Sequence, residues 1–174
     1  MRVSKLRAAQ PKFQPEQMEI KVTYGVGEGP TELAAFDKAL FDAGIANYNL
    51  IKLSSVIPPN STVKVGKIDW NDKAHGDKLY VVLSEKRESK PGKEAWAGLG
   101  RVIALNDSCK GLFVEHEGGS EREVKGLIEK SLASMVKYRR DEYGPVQIKI
   151  QGVKCRKYPV CSLVGAVYKS EGWG

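Results

Sequence analysis

Two adjacent serines, Ser54 and Ser55, close an apolar, β-branched run and precede two prolines, in the segment Asn49-Leu50-Ile51-Lys52-Leu53-Ser54-Ser55-Val56-Ile57-Pro58-Pro59-Asn60. Such a pair ordinarily marks a solvated turn or the end of a strand. It also permits a rarer reaction. The Ser55 hydroxyl can add to the Ser54 carbonyl and turn the peptide bond into an ester. Elimination then cuts the chain and leaves dehydroalanine at position 55, which hydrolyses to a pyruvoyl group. The peptide must be strained and its carbonyl polarised for this to run. Pro58 and Pro59 cannot donate to a ladder, so the strand must stop there, which helps to fix such a geometry. Two carboxylates could serve the same chemistry. Asp37 falls between Leu33 and Phe41 on a helical wheel, on the side expected to be buried, where it wants a cation. A guanidinium is a suitable partner because a carboxylate grips it through two charge-assisted hydrogen bonds. The alternative is a rim aspartate reaching solvent or a nearby Lys or Arg. Glu115 lies in the apolar run Leu112-Phe113-Val114, where partial burial would let it hold a proton near neutrality. The alternative is a solvent-facing charge. Glu117 shares its face and is the alternative donor, while His116 points the other way.

The elements that must position these groups follow from periodicity. Residues 18–24 alternate, with Met18, Ile20, Val22 and Tyr24 on one face, which predicts a half-buried strand. Gly25-Val26-Gly27-Glu28-Gly29-Pro30 reads as a permissive turn, and its glycine spacing fails the dinucleotide-binding pattern. Residues 31–43 predict a helix with an apolar stripe of Leu33, Phe36 and Leu40, capped by Gly44. The serine segment predicts one strand. Residues 79–83, 110–116, 146–153 and 160–168 predict further strands, and 94–105 fits either strand or helix, with strand preferred. Residues 69–77 and 86–93 read as polar and charged loops. Ser120-Glu121-Arg122-Glu123 is a capping box that starts a long helix to about Glu142, with Val124, Leu127, Ile128, Ser131, Met135 and Tyr138 facing the core. The tail 169–174 reads as frayed. Two helices and about seven strands suit an α+β sandwich with helices outside the sheets.

Composition narrows the functional classes. The chain has 174 residues, 41% apolar and 28% charged, which predicts one globular domain. Residues 1–17, broken by Pro11 and Pro15, read as a flexible arm, and their basic start lacks the apolar core of a secretory signal. No apolar run is long enough to cross a membrane as a helix. Cys109, Cys155 and Cys161 show no metal-binding spacing, and their odd number suggests reduced thiols in a cytoplasm. The net charge of +7 raises a rival reading, a basic nucleic-acid-binding module. Against it, the cations are scattered, and Lys86, Arg87, Lys90 and Lys93 alternate with Glu85, Glu88 and Glu94.

The segment 47–59, together with Glu32-Leu33-Ala34-Ala35-Phe36-Asp37-Lys38-Ala39-Leu40 and Gly111-Leu112-Phe113-Val114-Glu115-His116-Glu117-Gly118, resembles the pyruvoyl-dependent arginine decarboxylases. The resemblance covers roughly residues 18–168. It implies an αββα sandwich, with helices outside mostly antiparallel sheets. It also implies autocatalytic cleavage between Ser54 and Ser55 into a β chain of 1–54 and an α chain of 55–174. The cofactor would be a covalently bound pyruvoyl group derived from Ser55, with no metal and no pyridoxal phosphate. The substrate would be L-arginine, decarboxylated to agmatine through a Schiff base, with histidine or another amino acid as the alternative. The resemblance makes Glu115 the proton donor and Asp37 the anchor for the guanidinium. It places Asn49 and Ser54 near the substrate, although straight strand from Asn49 to Ser55 would span about 20 Å. Reaching the site would then take a bend or a neighbouring subunit; otherwise Asn49 ties up the start of the strand. The implied assembly is a cytoplasmic homotrimer of cleaved protomers with active sites between subunits, binding neither nucleic acid nor membrane.

Overall fold

The computed structural model describes residues 17–69 and 71–174. Of the expected arm, all but Gln17 lies outside the described residues. The elements run β1 (Met18–Glu28), α1 (Glu32–Ala43), β2 (Asn49–Lys52), β3 (Val56–Ile57), β4 (Ser61–Val65), β5 (Lys78–Glu88), β6 (Glu94–Ile103), β7 (Gly111–Gly118), α2 (Glu121–Met135), β8 (Gln147–Lys154) and β9 (Val160–Glu171). They build a five-stranded sheet in the order β2-β5-β9-β1-β4 and a four-stranded sheet in the order β3-β7-β6-β8. Two pairings, β1–β4 and β2–β5, are parallel, and the other pairings are antiparallel.

Three apolar layers hold the sandwich together. Ile20, Val22, Ile57, Val82, Leu99, Phe113 and Val164 fill the space between the sheets. Ala35, Ala39, Ala43, Leu79, Val81 and Leu163 join α1 to the outer face of the larger sheet. Val114, Val124, Ile128 and Leu132 join α2 to the outer face of the smaller one. This is the expected αββα arrangement. Each large side chain removed from water here contributes roughly 1.5–3 kcal/mol before entropy is counted.

Packing corrects several local expectations. The glycine segment is no turn, because β1 continues through it to Glu28. Its glycines let α1 lie almost on the sheet. A Cβ at Gly25 would sit 2.2 Å from the Ala39 carbonyl oxygen, and one at Gly27 2.1 Å from that of Ala35. The face of α1 that meets this glycine row is therefore its alanine face. Leu33 is left 68% exposed and Asp37 also points to solvent. The helix is fixed at both ends, at its C-terminus as expected. Thr31 Oγ1 accepts from the Ala34 N–H, and Gly44 (φ 77°) closes the C-terminus.

The second helix is shorter than expected, ending at Met135 in a 3-10 turn over Val136–Tyr138. The Arg139 guanidinium donates to the freed Met135 carbonyl at 2.6 Å. Tyr138 is 73% exposed and outside the core stripe. In the capping box, Ser120 accepts from the Glu123 N–H, but the Glu123 carboxylate accepts from Gly119, one residue earlier than the standard pattern. Residues 61–65, assigned no element from sequence, form β4. The strand β5 runs on into the expected charged loop as far as Glu88. The tail is held rather than frayed. β9 pairs with β5 through Glu171, whose carboxylate accepts from Tyr80 and Lys169, and the Trp173 indole donates to Gly76 O.

Candidate active site

The serine segment is not one strand. Asn49–Lys52 pairs in parallel with β5 at the edge of the larger sheet, whereas Val56–Ile57 pairs with Leu112 and Gly111 of β7 in the smaller sheet. Between them the chain crosses from one sheet to the other, and Ser54 and Ser55 lie at the crossing. Ser55 adopts a left-handed φ of 65°. An L-residue other than Gly or Asn pays of order 1–3 kcal/mol for that conformation. The strain required by self-cleavage thus falls on the residue that would attack.

Three hydrogen bonds hold the crossing in place. The Ser55 hydroxyl donates to Glu115 Oε2 at 2.6 Å, a short, charge-assisted geometry. The Ser55 carbonyl accepts from the Phe113 N–H at 2.8 Å. The next carbonyl, that of Val56, accepts from the Tyr168 hydroxyl at 2.9 Å. Burial, together with the nearby Glu115 charge, pushes the Tyr168 phenol well above its ordinary pKa, so it stays a neutral donor. Its ring meets Phe113 edge-on, 6.4 Å between centroids.

Ser54, Ser55, Phe113, Glu115, His116, Ser131 and Met135 line one open cavity of about 410 Å³. His116 faces α2, where its Nε2 lies 2.7 Å from Ser131 Oγ. Glu115 is exposed in the single chain, so the partial burial expected for it is not met there. Its partner across β6 is Leu99, and β3 covers the other edge of β7 only as far as Leu112. A second cleft, of about 610 Å³, is lined by Pro58 and Pro59 and by Lys110, Arg139 and Arg140 against one carboxylate, Asp141, which pairs with Lys110; the surplus of cations disfavours a cationic ligand.

The predicted residues therefore divide. Ser54, Ser55 and Glu115 come together. Asp37 is exposed on the outer helix and does not line this cavity. Asn49 Nδ2 donates to the Gly76 carbonyl at 2.7 Å, and its own N–H donates to that of Asp77, which ties down the start of β2. The straight strand from Asn49 to Ser55 is broken where the chain leaves the larger sheet. Phe113, Ser131 and Tyr168 were not singled out for the site from sequence. Their contributions are a backbone N–H, a hydroxyl on the face of a helix and a phenol on the last strand, none of which forms a local motif.

The chain belongs to the pyruvoyl-dependent arginine decarboxylase family, whose profile matches residues 19–170. Among curated relatives named "Pyruvoyl-dependent arginine decarboxylase", that of Methanococcoides burtonii is 30% identical over 114 residues, 65% of this chain and 63% of its own length. That of Halobacterium salinarum is 41% identical over 96 residues, 55% of this chain and 58% of its own. That of Thermococcus kodakarensis is 32% identical over 145 residues, 80% of this chain and 87% of its own. The chain thus spans less than two thirds of the first two relatives and most of the third. The residues at the crossing fit a pyruvoyl group made in place. Ser55, the serine that would give rise to it, is left-handed and hydrogen-bonded to a carboxylate.

Proposed function

We propose that this chain cleaves itself between Ser54 and Ser55 and then decarboxylates L-arginine to agmatine and carbon dioxide. The observation that carries the reading is Ser55 itself, left-handed at the break between two sheets with its hydroxyl on Glu115. Family membership and the relatives' names support arginine as the substrate. Once formed, the pyruvoyl group supplies a carbonyl that captures the substrate amine and an adjacent amide that accepts the electron pair released with carbon dioxide. Glu115 Oε2 takes the hydroxyl proton of Ser55 during cleavage, and the same carboxyl later returns a proton to the carbon that has lost carbon dioxide. Ser54 borders the cavity as the new C-terminus of the β chain.

Asp37 and Asn49 enter this reading through assembly. Asp37 is exposed on α1 and absent from its own chain's cavity, while Glu115 stands open near the β7 edge. A homotrimer in which one protomer brings Asp37 and Asn49 toward its neighbour's Ser55 and Glu115 would complete the site and cover Glu115. The guanidinium would meet Asp37 through two parallel N–H···O bonds. Three unpaired cysteines fit a reducing cytoplasm. No helix among the described residues is long and apolar enough to cross a membrane.

Intact mass under denaturing conditions, paired with carbon dioxide release from arginine, tests the proposal. Two fragments separated between Ser54 and Ser55 and arginine-dependent gas release are expected. A single uncut chain from freshly purified, folded protein would overturn it. Cleavage with release from histidine but not arginine would overturn the substrate alone.

A further inference from the structure

One atom of residue 55 keeps its place through the whole proposed sequence, its carbonyl oxygen. That oxygen accepts a hydrogen bond from the Phe113 backbone N–H at 2.8 Å. The donor is rigidly held. Phe113 is 1% exposed, lies opposite Arg101 of β6, and follows the two β7 residues that pair with β3.

The chemistry of cleavage shows when this contact matters. In the first step Ser55 Oγ bonds to the Ser54 carbonyl carbon. The Ser54–Ser55 C–N bond breaks, Glu115 takes the hydroxyl proton and passes it to the nitrogen, which leaves as an amine, and the transient negative charge sits on the Ser54 oxygen. In the second step the Ser55 Cα–H proton passes to the Glu115 carboxylate. The electron pair delocalises onto the Ser55 carbonyl oxygen and then forms the Cα=Cβ bond as the Cβ–Oγ bond breaks, which releases the Ser54 carboxylate. Water then replaces the amine as ammonia and leaves the ketone. The Ser55 oxygen is charged only in the second step. A donor 2.7–3.1 Å from such an oxygen is the geometry of an oxyanion hole.

We propose that the Phe113 N–H is the oxyanion donor for the elimination step of self-cleavage, and that it stays on the same oxygen in the processed chain, where it strengthens the amide as an electron acceptor. The same Phe113 bond fixes the plane of the Ser55–Val56 peptide, and the Tyr168 hydroxyl holds the next peptide, Val56–Ile57, through the Val56 carbonyl. An α-proton becomes acidic only when its bond aligns with the carbonyl π system, so a fixed plane matters as much as the charge. This inference rests on the cleavage reading above.

The test replaces Phe113 with phenyllactic acid, which keeps the side chain and exchanges the N–H for an ester oxygen. Cleavage is followed on denaturing gels with and without hydroxylamine, which cuts the Ser54 ester. Loss of one such donor slows the affected step by roughly 10²–10³-fold. The expected result is accumulation of a hydroxylamine-sensitive ester, with elimination slowed by that factor. Fragments appearing at the native rate would overturn the inference, as would a chain stalled with its peptide bond intact, because the contact would then serve only the first step. A native chain that never cleaves would instead sink the cleavage reading itself. If circular dichroism shows the substituted chain unfolded, the decisive measurement is scalar coupling between the Phe113 nitrogen and the residue 55 carbonyl carbon in the processed native protein. Coupling is expected, and its absence overturns the inference.

Discussion

Replacing Glu115 with Gln separates the two tasks assigned to this residue. The native contact joins a hydroxyl to a carboxylate oxygen at 2.6 Å. A hydrogen bond to a charged acceptor contributes roughly 1.5–3 kcal/mol, whereas a neutral one contributes about 0.5–1.5. Glutamine keeps an acceptor of the same shape, so the Ser55 hydroxyl keeps its partner, but it cannot take the proton. General acid–base catalysis is worth about 10²–10⁴ in rate, or roughly 2.7–5.4 kcal/mol of barrier. Glu115→Gln is therefore expected to slow the appearance of the two fragments by that factor without changing the cleavage point. Carbon dioxide release per cleaved chain should fall by a similar factor, because the proton returned to the product carbon is missing too. The assay is a time course of intact masses beside labelled carbon dioxide from arginine, with circular dichroism confirming the fold. Glu117→Gln is the control, since Glu117 is exposed and does not line the cavity. Native rates in the Glu115 variant, or equal losses in the Glu117 variant, would refute the assignment.

Other outcomes follow from the same contacts. Asp37→Asn should raise the KM for arginine by roughly 10–100-fold, because one charge-assisted pair is lost; unchanged arginine kinetics would remove Asp37 as the anchor. Gly27→Ala should destabilise the fold by about 1–3 kcal/mol, and at about 2–4 °C per kcal/mol the melting temperature should drop measurably. A native melt would mean that α1 can back away from β1. Native protein at pH 8 should present one reactive thiol, the exposed Cys109. Cys155 and Cys161 are covered, and burial together with nearby Glu85 pushes the Cys161 thiol up to about 12. Rapid labelling of three thiols before denaturation would contradict this. Lys169, Tyr80 and Lys78 hold the Glu171 carboxyl down to about 2, below its ordinary 4.5. Because the folded value is the lower one, this stabilisation is full above pH 4.5 and disappears as the pH falls through about 2. Glu171→Gln should accordingly flatten the acid limb of the stability profile, and identical acid melts would show that the clasp contributes nothing.

What could be read from the sequence depended on how far along the chain each feature reaches. The Ser54–Ser55 chemistry is legible because its first step needs two residues joined by one peptide bond. The Ser120 cap is legible because the group it satisfies lies three residues away. Alternation carries no mark of a left-handed residue, so the run from Asn49 to Ile57 read as one strand when Ser55 divides it between two sheets. The wheel that buried Asp37 followed leucine and phenylalanine, but the buried face of α1 is chosen by the glycines of β1, which admit alanine and leave no room for more. The same limit applies at the crossing. Glu115 reaches Ser55 across 60 positions and Tyr168 reaches Val56 across 112, and only the folded sheets bring them there. A sequence can thus name the bond that breaks while leaving out the groups that carry its charge. Those groups are supplied by strand register, and the donor at Phe113 is a backbone N–H that any residue except proline would provide.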